Sequence, residues 1–99
     1  MTPSVRAAVF TRAYPVLYVD DEPDNLMVFR ATFRDEFEVL TANSVAEAVE
    51  VLACVPIAVL LADQRMPGRS GVDLCEEVRA IHPNVVRMLI TAYSDTSVA

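Results

Sequence analysis

The sequence has no lysine and no tryptophan, only two glycines and two cysteines, and no long uninterrupted apolar run. Each shortage excludes something. A chain so poor in glycine, with 54% hydrophobic residues, is neither collagen-like nor disordered. A membrane helix takes about 20 consecutive apolar residues, so no bilayer span is expected. All eight basic residues are arginines, the net charge is −6, and there is no basic stripe with interleaved aromatics. That argues against direct contact with nucleic acid. Cys54 and Cys75 lie far apart, without a Cys or His neighbour at zinc-ligand spacing, and are expected to be reduced, partly buried thiols in helices. Met1–Tyr14 carries two arginines but no continuous apolar core before a cleavage site. It is a poor signal peptide, and a cytoplasmic protein is expected.

What is present fits one small domain. Val16-Leu17-Tyr18-Val19, ending in Asp20-Asp21, is expected to be a buried strand opening into a loop. Pro23 suits a first helical turn, and Leu26, Phe29 and Phe33 predict an amphipathic helix over 23–35. Residues 37–41 form a short, mixed edge strand. Ser44 and Glu47 form a capping box for a second helix, with Ala46, Val49 and Leu52 on its apolar face. Residues 57–62 show no polar alternation, as in a strand buried on both faces, and run into Asp63. After the turn Met66-Pro67-Gly68, Ser70 and Asp73 start a third helix over 72–81, with Leu74, Cys75, Val78 and Ile81 on one face. His82-Pro83 stops it. Residues 85–90 make a fourth strand, and Ser94 or Asp95 can cap one more helix. The order β-α-β-α-β-α-β predicts a parallel α/β sheet, with residues 1–14 as an extension and 15–99 as the domain.

In such a sheet the carboxyl ends of the strands share one edge, where ligands bind. If the first and third strands are neighbours, Asp20, Asp21 and Asp63 converge there. Crowded carboxylates repel, so the cluster calls for a cation, and an all-oxygen donor set selects a hard ion such as Mg²⁺. That ion can hold a phosphoryl group against Asp63 and draw off charge during its transfer. Taken singly, each residue has a plainer reading. Asp20 and Asp21 can serve a helix dipole, an effect of about 0.3–1 kcal/mol. Asp63 can cap a loop, and Thr91 can be an ordinary strand-end residue.

The blocks Leu17-Tyr18-Val19-Asp20-Asp21-Glu22-Pro23, Leu60-Leu61-Ala62-Asp63-Gln64-Arg65-Met66-Pro67-Gly68 and Leu89-Ile90-Thr91-Ala92 resemble the signature segments of bacterial two-component receiver domains. Their order, spacing and expected secondary structure agree, from about Pro15 onward. The Asp-Gln-Arg-Met-Pro wording is similar to receivers joined to NtrC-like activators or HD-GYP-type outputs. The resemblance implies a flavodoxin-like (CheY-like) doubly wound sheet of order 2-1-3-4. It implies that Asp63 accepts a phosphoryl group from a sensor histidine kinase. Asp20 and Asp21, with Asp63 and the backbone carbonyl of Arg65, hold Mg²⁺, Asp21 more directly. Thr91 is the switch hydroxyl, Ala92 leaves room for the phosphoryl group, and Tyr93 lies where family members tune dephosphorylation. An output domain or effector receives the signal.

The sequence also departs from the family. Receivers have five strands and five helices, and the fifth strand brings a lysine to the phosphoryl group. Here there is no lysine, and arginine's planar fork is a poor substitute for a compact ammonium. Without a last helix, apolar residues of the first and third strands are expected to face solvent, beside an open fourth-strand edge. Three explanations compete: a fragment of a longer regulator, a natural short receiver that assembles with a partner copy, or residues 1–14, with Val5, Ala8, Val9 and Phe10, folding back over the bare face; the fragment is favoured, with a homodimer as its consequence. Two other functions stay open. One is a degenerate receiver used for protein contacts. The other is a Mg²⁺-dependent phosphohydrolase, although the second aspartate of haloacid-dehalogenase-like enzymes is replaced here by Arg65. On balance a signalling module is expected, not an enzyme.

Overall fold

The computed structural model describes residues 14–91. Residues 1–13 and 92–99 lie outside the described residues, and with them the extension, Ala92, Tyr93 and the helix expected from Ser94 or Asp95. The elements are β1 (Val16–Val19), α1 (Pro23–Phe33), β2 (Val39–Ala42), α2 (Val45–Cys54), β3 (Val59–Asp63), α3 (Gly71–Ile81) and β4 (Val86–Ile90). The four strands are all parallel and run in the order β2-β1-β3-β4, as expected. Among the described residues, no helix is long and apolar enough to cross a membrane.

Alternation along the strands assigns the two faces. Leu17, Val19, Leu60 and Ala62 pack with Val45, Ala48 and Leu52 of α2 and Leu74 and Val78 of α3 in the main core. The intervening residues Val16, Tyr18, Val59 and Leu61 point to the other face, as period-two geometry requires. There α1 contributes Phe29 and Phe33, and Phe37 of the following turn extends the row; Phe29 stacks on Tyr18 with centroids 4.4 Å apart. All four residues of β1 are buried, since it lies between two strands and under helices on both sides.

Several expectations shift in detail. The helix expected over 23–35 ends at Phe33, and Phe37 lies in the following turn, where the N–H groups of Glu36 and Phe37 both donate to the Phe33 carbonyl. β2 therefore starts at Val39. On α2 the buried residues are Val45, Ala48 and Leu52, and Ala46 faces solvent. The N-cap Ser44 sets the phase of that helix, so its inner face falls at i, i+3 and i+7 from Val45. Half of the capping box forms there: Ser44 Oγ accepts from the Glu47 N–H, but the Glu47 carboxylate accepts from Asn43 N–H. The complete box is at α3, where the Ser70 and Asp73 side chains each accept the other's backbone N–H.

Ile81 is 59% exposed, because it lies at the last turn of α3, past the edge of the core. Cys75 is half-buried but Cys54, at the end of α2, is exposed. The apolar residues expected to face solvent on β1 and β3 are covered better than that: Val16 and Tyr18 are buried, Tyr18 against the Phe29 ring, and Val59 and Leu61 are half-buried. Among the strands, the exposed large apolar side chains are Val86 and Met88 of β4; outside them, Met27 and Val28 of α1 are exposed as well.

Candidate functional site

β1 and β3 are neighbours, and Val19 pairs with Ala62. One step further along each strand, Asp20 comes level with Asp63 at the carboxyl edge. Asp21 follows in the loop to α1. The three side chains each bring a carboxylate oxygen within 4.8 Å of the others, the one such cluster of metal-ligating residues among the described residues. They line an open cleft of roughly 490 Å³ with Tyr18, Glu22, Asn25, Arg65 and Ile90.

The three aspartates differ in their surroundings. Asp20 is only 2% exposed. A buried carboxylate is costly unless it is hydrogen-bonded, and Asp20 accepts three bonds: from the Tyr18 hydroxyl (2.7 Å), the Glu22 N–H (3.0 Å) and Asn25 Nδ2 (3.1 Å). Its own N–H donates to the Ala42 carbonyl, which anchors the strand end. Asp21 and Asp63 are half-buried. Burial raises the Asp63 carboxyl above the usual range, and the Asp20 charge adds to that. The backbone N–H of Arg65 offsets part of the rise; Asp21 raises it further and the Gln64 N–H lowers it again. Burial, followed by the bond to Asp20, drives Tyr18 far above the usual phenol value, so its hydroxyl keeps its proton.

The loop after Asp63 is fastened at both ends. Gln64 N–H donates to the Ile90 carbonyl of β4, and Gln64 Oε1 accepts from Val72 N–H at the start of α3. The expected turn at Met66-Pro67-Gly68 has Gly68 at φ +83°, a conformation that favours glycine. Gly71 serves a different need. A Cβ built on it would lie 2.6 Å from the Asp63 carbonyl oxygen, so only a residue without a side chain lets α3 start against the backbone of the acidic strand end.

Asp20, Asp21, Asp63 and Arg65 thus share one cleft. Thr91 follows directly on Ile90, which pairs with Asp63 in the β3–β4 register; Thr91 itself is exposed. Ala92 lies outside the described residues. Tyr18, Asn25 and Ile90 belong to the cleft but were not singled out from sequence. For Tyr18 a signal exists: residues i and i+2 of a strand share a face, so a tyrosine two places before a strand-end aspartate stands beside it. The donors fit a hard divalent cation. They are all oxygens, they converge, and their mutual repulsion is relieved by positive charge.

A model of the response regulator receiver domain family matches residues 16–99. The chain is 46% identical over 81 residues to the hydrogenase transcriptional regulatory protein HoxA of Cupriavidus necator, covering 82% of this chain and 17% of that protein. It is 34% identical over 80 residues to the DNA-binding transcriptional regulator NtrC of Escherichia coli, covering 81% and 17%. The chain therefore spans about a sixth of the length of these relatives. Among solved structures it is similar to the response regulator TrrA of Thermotoga maritima in complex with Mg²⁺-BeF, with TM-score 0.77 and 30% identity, over 83% of this chain and 72% of that one. A complex of the histidine kinase ThkA with TrrA matches with TM-score 0.75 and 30% identity, over 82% and 71%.

Proposed function

The chain belongs to the response regulator receiver domain family, and from that premise we propose that Asp63 accepts a phosphoryl group from a sensor histidine kinase, beside a Mg²⁺ held by Asp20, Asp21 and Asp63. The observation that carries this reading is the convergence of the three carboxylates at the ends of two neighbouring strands. Bound Mg²⁺ would neutralise the carboxylates and the charge on the transferring phosphoryl oxygens. The residues of the chain supply the rest. An Asp63 carboxylate oxygen attacks phosphorus, and the new O–P bond forms as the bond from phosphorus to the kinase imidazole nitrogen breaks. That nitrogen keeps the electron pair. The backbone N–H of Arg65 favours the charged Asp63 carboxylate that makes the attack. In the same reading the backbone carbonyl of Arg65 would be a further ligand for the ion, the Thr91 hydroxyl would turn toward the phosphoryl oxygens, and the small side chain of Ala92 would leave them space.

The partners follow from the relatives. The kinase is supported by the ThkA–TrrA complex, and an output domain by HoxA and NtrC, both transcriptional regulators much longer than this chain. The reading is of a cytoplasmic signalling module that takes up one phosphoryl group, with no turnover of its own. Incubation with acetyl phosphate and Mg²⁺ is expected to add the mass of one phosphoryl group, and a chelator to prevent it. Repeated hydrolysis of small phosphoesters, or no uptake at all, would sink the reading. A homodimer is also proposed, supported by the exposed Val86 and Met88 on the edge strand β4. Sedimentation should then show association that grows with concentration; a monomer throughout counts against it.

A further inference from the structure

We propose that Tyr18, assisted by Asn25, is a positioning residue that sets the Mg²⁺ affinity of the cleft by committing one oxygen of Asp20. The inference rests on the Mg²⁺ reading given above and adds a residue to it. An ionised carboxylate offers about four acceptor positions, two on each oxygen. On Asp20 both positions of Oδ2 are taken, by the Tyr18 hydroxyl at 2.7 Å and by Asn25 Nδ2 at 3.1 Å. One position of Oδ1 is taken by the Glu22 N–H at 3.0 Å. Among the described residues nothing takes the remaining acceptor position, on Oδ1. The side chain reaches the cleft with one oxygen spoken for and the other half free.

Tyr18 is built to enforce this. It is 7% exposed, its backbone lies in the central strand, and its ring is stacked on Phe29 at an interplanar angle of 24°. Its hydroxyl therefore has little freedom to leave Asp20. The hydroxyl donates and the carboxylate accepts, so the bond fixes Oδ2 and with it the direction in which Oδ1 faces the cleft. Asn25 approaches the same oxygen from the first turn of α1, so groups from two elements grip one atom. Groups that orient a ligand in this way typically change metal affinity by about 10- to 100-fold when removed. A tyrosine that merely fills the core would contribute its ring and its stacking, both of which phenylalanine keeps.

Titration calorimetry of the full chain with MgCl₂ separates the two roles. Tyr18→Phe is expected to weaken Mg²⁺ binding about tenfold, and Asn25→Ala, which leaves β1 untouched, to weaken it several-fold. Tyrosine emission gives an independent readout, because the chain has no tryptophan to mask it. A phenol bonded to a carboxylate is quenched, so Mg²⁺, by drawing charge from Asp20, should raise the emission of the wild type. That rise should vanish in Tyr18→Phe, where Tyr14 and Tyr93 remain. Wild type and Tyr18→Phe with equal affinity would overturn the positioning role and leave the Mg²⁺ site standing. A wild type that binds no Mg²⁺ would overturn both.

Discussion

Asp63→Asn is expected to abolish phosphoryl uptake from acetyl phosphate and, without Mg²⁺, to leave the chain more stable at neutral pH than the wild type. The first effect follows from chemistry. An amide oxygen is a far weaker nucleophile than a carboxylate, and no other carboxylate stands at the same point of the cluster. The second follows from charge. Burial, Asp20 and Asp21 raise the Asp63 carboxyl in the folded chain, so the folded state holds that proton more tightly than the unfolded state does. For such a group stability falls as pH rises from below the unfolded value to above the folded one. The neutral amide removes that loss while keeping an oxygen as acceptor for the Arg65 N–H. Mass spectrometry after acetyl phosphate treatment checks the first effect. Thermal melts in chelator at acid and neutral pH check the second. Continued uptake by the variant would move the acceptor to another residue, and an unchanged pH dependence would show that Asp63 is not under strain from its neighbours.

Gly71→Ala is the second large effect, and it connects stability to the site. The added Cβ meets the Asp63 carbonyl oxygen at 2.6 Å, its carbonyl carbon at 3.0 Å and Gln64 Cα at 3.2 Å. These are backbone atoms and cannot rotate away as a side-chain end can. Either α3 backs off or the end of β3 moves, at a cost of about 1–3 kcal/mol for an overpacked contact. The backbone that shifts is the one carrying Asp63, so Mg²⁺ affinity should fall several-fold as well. Gly68→Ala is the matched control. At φ +83° it strains the backbone by about 1–2 kcal/mol, yet nothing lies within 4 Å of the new methyl group. Urea unfolding and Mg²⁺ titration of the pair should show both variants destabilised and only Gly71→Ala weakened in Mg²⁺ binding. Equal Mg²⁺ affinity in the two would disprove the connection.

The sheet was legible because its signals are local and redundant. An apolar run ends in aspartate at Asp20 and at Asp63, and the intervening helices carry caps and periodic apolar residues. The family resemblance supplied the strand order, which brings those two ends together. Helix phase was harder to read: Ala46 and Ala48 are equally good helix formers, and only the position of the Ser44 cap decides which of them points inward. The burial of β1 was less legible, because the stacking of Phe29 on Tyr18 is a contact between elements. The supporting residues of the site were the least legible. Tyr18 reads as one more apolar strand residue until it stands beside Asp20, and Gly71 reads as a loop glycine until α3 is placed against Asp63. Both matter through contacts between elements, which spacing along the chain does not record.

The central place of β1 has a consequence for how the molecule can be divided. Among the described residues, β2 pairs only with β1, and β3 reaches β2 only through it. A cut between α2 and β3 therefore does not yield two smaller folding units. One piece would hold β1 with one flank bare, and the other would hold Asp63 without Asp20 and Asp21. The acidic cluster exists only where the two halves are joined, so the domain and its chemistry form a single indivisible unit.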